Sequence, residues 1–202
     1  KNRFGSTNEI GVFEMKAQGL CQVSNPSAVF LSERPENAAG SVVTASIEGT
    51  RPILVELQAL ASSTNLGTPR RTILGLDPNR VALLVAVMEK QLGLHLMGHD
   101  IFMNVAGGVK IMEPAVDLGI VSAIASSFLD RPIRKDTLAI GEVGLAGEVR
   151  AVGNVEIRIM EAKKMGFGRC VVPAGSLKRL PKTKDIVLEG VDTVSGAMDL
   201  LF

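Results

Sequence analysis

The stretch that decides the fold is Glu113 to Ser127, EPAVDLGIVSAIASS, together with Gly141 to Phe167, GEVGLAGEVRAVGNVEIRIMEAKKMGF. The first part predicts a helix over residues 116–130, and its Ala, Ser and Gly residues would let a neighbouring backbone approach closely. The second part predicts a strand that enters a glycine turn, followed by a helix that ends at Gly166. This alternation of strands and helices favours an α/β (α+β) domain.

The flanking segments continue the alternation. A β-hairpin is predicted around Gly49, and Asp77 with Pro78 predicts the start of a helix whose apolar residues recur at helical spacing until Gly93. Further strands are predicted over residues 9–15, 101–108, 137–144, 168–173 and 185–191, and a closing helix over residues 193–202. Residues 16–40 are rich in Gly, Asn, Pro and Ser and are predicted to form an irregular linker with one short apolar run at residues 28–31.

Composition excludes several classes of protein. Hydrophobic residues make up 46% of the 202 residues and charged residues 21%, as in an ordinary globular domain. With seven Phe and no Trp or Tyr, the core must be aliphatic, and an aromatic platform for stacking nucleic-acid bases is not expected. The net charge of +1 provides no global attraction to nucleic acid, so any basic patch must be local.

Cysteine and histidine usage indicates no metal site. Cys21 and Cys170 form no CxxC pair, and two thiols in a chain of this length favour a reducing, cytoplasmic compartment. His95 and His99 have the spacing of a metal-binding helix but lack the HExxH glutamate. No apolar run is long enough to predict a membrane span. Because the sequence starts at Lys1 without an initiator Met, we expect a piece of a longer protein.

The order of strand, glycine-rich loop, small-residue helix and second helix resembles the proteolytic domain of Lon-family proteases. The resemblance implies a Lon-protease-like fold, of the type found in domain 2 of ribosomal protein S5. In that family a lysine deprotonates a serine, which attacks a peptide carbonyl. The serine position corresponds here to Asp117 and the lysine position to Arg158. A carboxylate is a poor nucleophile toward an amide and arginine stays protonated, so the resemblance implies an inactive peptidase domain.

Two roles are expected of these residues. Asp117 and Arg158 would pair with each other as a structural ion pair, or Asp117 would cap the following helix. The alternative from the enzyme class is an active Lon-like serine peptidase that uses another serine, such as Ser122.

A second resemblance covers essentially the whole chain. The pentapeptide KNRFG at residues 1–5, EGTRPILVELQAL at residues 48–60 and PRRTILGLDPNRVALLVAVMEK at residues 69–90 resemble the RadA (Sms) family of bacterial DNA repair proteins. Members of that family carry a zinc finger, a RecA-like ATPase core, the KNRFG motif and a Lon-like domain. The resemblance implies a KNRFG motif, strand and linker arm over residues 1–40 and a Lon-like domain over residues 41–202.

The same resemblance sets expectations about ligands. These 202 residues contain neither GxxxxGK[ST] nor CxxC, so ATP, Mg and zinc are implied for the longer protein and no cofactor or enzymatic activity for this chain. Lys1 and Arg3 would contact the ATP of a neighbouring subunit in trans.

The implied assembly is a hexameric ring that acts in recombinational DNA repair. Its partners would be DNA, as branched or single-stranded recombination intermediates, and a RecA-type recombinase. A ring-forming scaffold without DNA binding is the alternative from the binding class.

Two groups of basic residues are candidates for phosphate contacts. The first surrounds the predicted hairpin and the turn-rich loop after it, and consists of Arg51, Arg70, Arg71 and Arg80. The second consists of Lys110, Arg131, Arg134 and Lys135. We rank the Arg70-Arg71 pair first, because adjacent arginines beside Gly and Pro have little to do in a core. The alternative is an ordinary solvated surface.

Overall fold

The computed structural model describes residues 12–23, 25–64, 67–180 and 184–202. Its helices are α1 (Pro26–Leu31), α2 (Pro78–Leu92), α3 (Asp117–Leu129), α4 (Val155–Lys164), α5 (Ala174–Leu177) and α6 (Val194–Leu201). Its strands are β1 (Phe13–Lys16), β2 (Gly19–Gln22), β3 (Ser41–Glu48), β4 (Arg51–Ser63), β5 (Arg71–Leu74), β6 (His99–Val105), β7 (Thr137–Ala139), β8 (Glu142–Val143), β9 (Val149–Arg150), β10 (Arg169–Pro173) and β11 (Val187–Val191). The predicted α/β class is confirmed.

A seven-stranded mixed sheet organises the domain, with strand order β11-β10-β7-β3-β4-β6-β5. The pairs β11-β10, β10-β7, β7-β3 and β6-β5 are parallel, whereas β3-β4 and β4-β6 are antiparallel. Two small antiparallel pairs, β1-β2 and β8-β9, lie outside this sheet.

The predicted hairpin is the centre of the sheet. β3 and β4 pair from Ser41 opposite Gln58 to Glu48 opposite Arg51, and Gly49 in the turn has a φ of +65°. A positive φ at this turn suits glycine, which has no Cβ to clash. β4 runs beyond β3 and pairs its second half with β6, from Leu57 opposite Val105. One long strand therefore joins the two halves of the sheet.

Two aliphatic cores cover the faces of the sheet. On one face α2, α3 and α6 pack against inward residues of β3, β4 and β6, and on the other face α4 packs against Val43, Ala45 and Leu54. Alternate residues of β3 and β4 thus point to opposite cores, as the period of a strand requires. The predicted aliphatic core is confirmed: among the described aromatic residues only Phe167 is buried.

The small residues of α3 have the predicted effect. A Cβ added at Gly119 would lie 3.0 Å from the Thr44 Cβ and 3.1 Å from the Leu57 Cδ1, so the helix backbone rests directly on the sheet.

Helix α2 also begins and ends where the sequence predicts. The Asp77 carboxylate accepts from the Asn79 amide at 2.9 Å, Pro78 opens the first turn, and Gly93 ends the helix in the left-handed conformation.

The prediction of an irregular linker over residues 16–40 was wrong, because this segment forms β2 and α1. Ser27 of α1 is buried, and its hydroxyl donates to Glu161 at 2.8 Å and accepts from the Leu54 amide at 3.1 Å. Arg34 donates to the Ser41 hydroxyl at 3.0 Å, and Ser41 in turn donates to Glu56 at 2.6 Å. Side-chain bonds to distant residues, which local composition does not reveal, anchor this segment to the sheet.

The predicted strand over residues 137–144 is divided. β7 belongs to the large sheet, whereas β8 turns away and pairs with β9. The β8-β9 hairpin is fixed to the end of the domain by hydrogen bonds from the Val149 amide to the Asp192 carbonyl and from the Val194 amide to the Gly147 carbonyl, both 2.8 Å.

Within the residues that the structure describes, no helix has the length and apolar character needed to cross a membrane.

Candidate functional site around Asp117 and Arg158

Asp117 is the first residue of α3, directly after a single 3-10 turn over Pro114–Val116. Its side chain is 1% exposed. The carboxylate accepts from the Arg80 Nε at 3.0 Å, from the Arg80 Nη2, and from the Val143 amide at 3.1 Å. Arg80 Nη2 also donates to the Val143 carbonyl at 2.9 Å. This ion pair therefore joins α2, α3 and β8.

Burial and ion pairing have opposite effects on the pKa of the Asp117 carboxyl. Burial raises the pKa of the Asp117 carboxyl, and the hydrogen bonds from Arg80 and Val143 oppose this effect. The hydrogen bond to Asp117 raises the pKa of Arg80. Because its oxygens are directed at Arg80 and Val143, Asp117 does not accept a bond from the first turn of α3, so the predicted capping role was wrong.

Arg158 lies on α4 with 3% of its side chain exposed. It donates to Glu113 through Nη1 at 2.8 Å and Nη2 at 2.6 Å, in the two-pronged geometry that suits a guanidinium and a carboxylate. Its remaining donors reach the Gly153 carbonyl at 3.2 Å and the Ala45 carbonyl. These acceptors lie in β3, in the turn before α4 and next to the turn before α3, so the guanidinium is fixed between three segments of the chain.

Glu113 completes this second ion pair. Burial raises the pKa of Glu113, but the hydrogen bonds and charge of Arg158 and the amide of Ile47 outweigh burial and leave the pKa below its usual value. The Ile47 amide donates to the Glu113 Oε1 at 2.7 Å. The carboxylate thus connects α4 to the end of β3.

The expected pairing of Asp117 with Arg158 was wrong, because each is paired with a third residue. Glu113 and Asp117, the acidic members of the two ion pairs, lie on either side of the Pro114–Val116 turn. Arg158 lines an open cleft of about 340 Å³ with Ile47, Glu113, Glu142 and residues 151–154. Asp117 and Arg80 instead line a smaller cavity of about 80 Å³. Asp117 and Arg158, which the Lon resemblance suggested as a pair, therefore belong to two adjacent ion pairs rather than one.

Neither ion pair supplies the chemistry of peptide hydrolysis. Asp117 and Arg158 both have their polar atoms engaged, and an arginine retains its proton at working pH. Ser122, the alternative nucleophile, is fully buried, and its hydroxyl donates to the Leu118 carbonyl at 2.6 Å within its own helix. It has no access to a substrate in this arrangement.

The Arg70-Arg71 pair lies at the edge of the sheet, where Arg71 opens β5. Arg70 donates to the Asp100 carboxylate from its amide at 2.7 Å and from its guanidinium at 2.9 and 3.1 Å, and lies 5.9 Å from the Phe102 ring centroid. Arg71 donates to the carbonyls of Arg70, His99 and Leu96. Both side chains are exposed but have local structural partners.

The first basic group does not form one patch. Arg51 lies opposite Glu48 at the start of β4, whereas Arg71 lies beside Ile101, which pairs with Ala61 near the end of β4. Ten residues of strand correspond to roughly 33 Å. Arg80 belongs to neither end, because it is paired with Asp117.

The second group is also divided. Arg134 pairs with Asp136, Lys135 pairs with Glu36, and Arg131 donates to the Phe202 carbonyl. Lys110 is exposed, and it has no ion pair or hydrogen bond with the part of the chain that the structure describes. Of the predicted phosphate contacts, Lys110 is therefore the side chain most available to an external anion.

The remaining residues singled out in the sequence are the histidines His95 and His99 and the cations Lys1 and Arg3. The His99 Nδ1 lies 3.1 Å from the His95 carbonyl, and its ring packs edge-on against Phe128. Within the described ranges, no three His, Cys, Asp or Glu side chains are grouped to hold a metal ion. Lys1 and Arg3 lie outside the described residues.

Sequence reasoning missed Glu113 and the pairing role of Arg80. Arg80 is 37 positions from Asp117, and Glu113 is 45 positions from Arg158, so no local pattern joins them. One signal was present: two carboxylates, Glu113 and Asp117, flank a proline turn at the start of a buried helix. Acidic side chains in such a place need partners when they are buried.

Comparisons with known proteins agree with this fold. The model of a protein family described as ChlI, subunit ChlI of Mg-chelatase, matches residues 62–176. Three curated relatives are named DNA repair protein RadA. The Bacillus subtilis protein is 56% identical over 198 residues, which are 98% of this chain and 43% of the relative. The Listeria monocytogenes protein is 50% identical, covering 98% of this chain and 43% of its own length.

The Streptococcus pneumoniae relative is 50% identical over 202 residues, which are 100% of this chain and 48% of the relative. This chain thus spans about half the length of the curated relatives that it matches. Their names confirm the resemblance that the KNRFG motif and the two longer stretches indicated. The chain therefore belongs to the ChlI family defined by the matching model, and it corresponds nearly end to end to one part of the bacterial DNA repair protein RadA.

Proposed function

We propose that this chain is the proteolytically inactive, Lon-like domain of a RadA-type DNA-dependent ATPase that acts in recombinational DNA repair. In this proposal the domain has no catalytic activity of its own. It provides a platform for assembly of a hexameric ring and contacts DNA. The longer protein would supply ATP hydrolysis with Mg, and a zinc finger, and would cooperate with a RecA-type recombinase.

The proposal rests on two ion pairs, Asp117–Arg80 and Arg158–Glu113. Asp117 and Arg158 occupy the positions that correspond to the Lon serine and lysine, and each is buried and bound to a separate partner. Reaction centres need groups that are free to exchange protons and to meet a substrate. Here the same two positions connect α2, α3, α4, β3 and β8, which supports a structural role for the former site.

Relatives support the DNA repair context. Proteins that are 50–56% identical to this chain are named DNA repair protein RadA. DNA contact by this domain would then rely on a few cations, since the net charge is only +1. Lys110 is the strongest single candidate, because it is exposed and not engaged by a described acidic residue. Arg71 and Arg134 are exposed as well, but both have acceptors within the domain.

The KNRFG motif would act on nucleotide in the assembled ring. Lys1 provides a compact ammonium and Arg3 a planar fork that binds phosphate oxygens through two hydrogen bonds. In ring ATPases such cations reach the nucleotide held by a neighbouring subunit. The prediction is that alanine at Lys1 or Arg3 reduces DNA-stimulated ATP hydrolysis by the full-length protein while this domain stays folded.

The proposal is tested with the 202-residue chain in two assays. Filter binding to single-stranded and branched DNA at low and moderate salt should detect binding that weakens as salt rises. A fluorogenic-peptide or casein assay of the same sample should show no turnover. Cleavage that persists through repeated purification and is lost in a Ser122→Ala variant would overturn the inactive assignment. Absence of DNA binding at low salt would favour the ring scaffold without a DNA role.

A further inference from the structure

One half of the seven-stranded sheet has a side that is open to solvent in the part of the chain that the structure describes. Along β4, β5 and β6 alternate side chains enter the core beneath α2 and α3, and the side chains between them point to the opposite side. On that side Leu60 lies opposite Phe102, and Asn104 lies between Gln58 and Leu74. Gln58, Leu60 and Leu74 are exposed, and Phe102 and Asn104 are half-buried. We call these five residues the open face.

The open face is more apolar than solvent exposure requires. Sheets with one side in water usually place polar residues there. Leu60 is instead 57% exposed and Leu74 58%. Helix α4 packs on the same side of the sheet, but over β3 and the first half of β4. Apolar side chains that remain exposed beside a covered surface indicate a place where a ligand binds.

Phe102 and Arg70 form a flat platform at one end of the open face. The Arg70 guanidinium carbon lies 5.9 Å from the centroid of the Phe102 ring. Asp100 fixes the guanidinium through Nε at 3.1 Å and Nη2 at 2.9 Å, and it balances the charge. The side chain of Arg70 is nevertheless 62% exposed. An aromatic ring and a fixed guanidinium are the two kinds of planar group on which unpaired bases stack.

Two amide side chains lie next to this platform. The Asn104 Nδ2 donates to the Gln58 Oε1 at 3.2 Å, and the Gln58 Nε2 donates to Glu56 at 3.2 Å. These bonds orient both amides along the strands, and the Asn104 Oδ1 accepts no hydrogen bond from a described residue. Oriented amides can form hydrogen bonds with the exposed edges of bases.

Lys110 lies beside the other end of the open face. The Ile111 amide donates to the Gly75 carbonyl at 2.8 Å, which places the loop after β6 next to the end of β5. Lys110 is therefore close in the fold to Leu74, and Leu74 is separated from Arg70 by roughly 13 Å of extended chain. The exposed ammonium of Lys110 suits a phosphate at this end, whereas the Arg70 charge is balanced by Asp100.

We propose that the open face binds a short stretch of single-stranded DNA, with a base stacked on Phe102 and Arg70 and a backbone phosphate next to Lys110. The inference rests on the proposed function, since it takes DNA as the ligand of this domain. Bases within a duplex are already stacked and paired, so the platform binds only unpaired bases, with little preference for their sequence. One ring and one guanidinium hold few bases, in keeping with the scarcity of aromatic residues in this chain.

Abasic DNA separates stacking from phosphate contact. The affinity of the 202-residue chain is measured by fluorescence anisotropy for labelled oligo-dT and for an abasic strand of the same length. We expect oligo-dT to bind about fivefold or more tightly than the abasic strand, because only oligo-dT has bases to stack. Equal affinity for the two strands would overturn the proposal and leave the proposed DNA contact intact. Failure to bind either strand would contradict the proposed function, and this inference with it.

Phe102→Leu removes the ring and keeps an apolar side chain on the sheet. It should weaken binding of oligo-dT by about fivefold or more and leave binding of the abasic strand unchanged. Leu83→Ala is the control, because Leu83 is 46% exposed on α2 and lies outside the open face. Unchanged oligo-dT affinity in Phe102→Leu would contradict stacking at this site. A lower mass of Phe102→Leu or Leu60→Ala in light scattering without DNA would overturn the proposal in favour of a second copy on the open face.

Photo-crosslinking of the wild-type chain gives a readout that needs no variant. An oligo-dT strand with 5-iodouracil at one position is irradiated with the 202-residue chain, and the crosslinked peptides are identified by mass spectrometry. We expect a crosslink at Phe102, since the base reacts with an aromatic side chain on which it is stacked. Crosslinks confined to peptides that contain no residue of the open face would overturn the assignment, even if the chain binds the strand.

Discussion

The carboxylate of Asp117 is bound by the guanidinium of Arg80, at an Nε–Oδ1 distance of 3.0 Å, and not by Arg158. Asp117 is therefore the buried end of an ion pair that links α2, α3 and β8. Arg158 has a separate partner, Glu113, on the other side of the Pro114–Val116 turn. In the proposed function these are the two positions that resemble the Lon nucleophile and base.

The Asp117–Arg80 pair should be asymmetric in its contribution to stability. Arg80→Ala leaves a buried carboxylate without its cation, and we expect a loss of about 3 kcal/mol in the free energy of unfolding, near the low end of the usual range because Arg80 is partly exposed. Asp117→Asn should cost less, because its amide oxygen still accepts from Val143 and water can reach Arg80. Urea unfolding of both variants measures the difference. An Arg80→Ala variant that is no less stable than Asp117→Asn would contradict this account of the pair.

Placing serine and lysine at the two positions that resemble the Lon dyad should not produce peptidase activity. In Asp117→Ser combined with Arg158→Lys, the new lysine would lie beside Glu113, which favours its protonated form and prevents it from acting as a base. A catalytic site also needs an oxyanion environment and a substrate groove, which a fold does not supply by itself. Turnover of a fluorogenic peptide is the readout, with added Glu113→Gln as the matched control. Efficient cleavage by the double variant would show that an intact site remains.

The fold was predictable from the sequence wherever the signal was local. Helix α2 begins at Pro78, after its cap Asp77, and ends before Gly93, as predicted. The central hairpin turns at Gly49, also as predicted. The Ala, Ser and Gly residues of α3 indicated the close approach that Gly119 makes to Thr44. Each of these features depends on a residue and its immediate neighbours in the chain.

The parts that were missed depend on contacts between distant residues. Ser27 and Arg34 fix the segment that reads as a linker, through bonds to Glu161, Leu54 and Ser41. The division of the basic group has a similar cause, because the length of β4 separates Arg51 from Arg71. Neither the partners of a buried charge nor the distance between two loops can be obtained from composition.

Acid should weaken the Glu113–Arg158 pair. The pKa of Glu113 is lowered in the folded state, so its contribution to stability is present above the unfolded value, about 4.3, and is lost as pH falls through the lower folded value. Glu113→Gln lacks this titration. The difference in unfolding free energy between wild type and Glu113→Gln should therefore shrink as the pH is lowered from about 6 to about 3. Urea titrations at several pH values would show this trend, and a difference that does not change with pH would contradict it.

The two cysteines should differ in reactivity. Cys170 lies in β10 within the core, where burial raises the pKa of its thiol to about 12. Cys21 is partly exposed on β2. A thiol reagent such as Ellman's reagent should therefore modify Cys21 in the native chain and reach Cys170 only after unfolding. Cys21→Ser is the control, and rapid native labelling of that variant would contradict the burial of Cys170.

Lys110 provides the cleanest substitution for testing DNA contact. Arg70→Ala would remove the guanidinium that pairs with the Asp100 carboxylate, so a loss of DNA binding by that variant would combine a change in stability with a lost DNA contact. Lys110→Ala removes an exposed cation with no described partner, and its effect on stability should be within about 0.5 kcal/mol. We expect weaker binding to all DNA sequences and a salt slope of log K reduced by about one. Lys178→Ala is the control, because Lys178 is also an exposed lysine. An unchanged affinity and slope would remove Lys110 from the DNA contact.

The measurement that most directly tests the central claim is the DNA affinity of the wild-type 202-residue chain across a series of salt concentrations, with its oligomeric state fixed by light scattering in the same buffers. If the domain contacts DNA as we propose, log K should fall linearly with log salt, with the same slope for unrelated sequences, because phosphates carry no base identity. The peptidase assay of the same samples should stay at background. Binding that is undetectable at low salt, for the assembled ring as well as the monomer, would contradict the account.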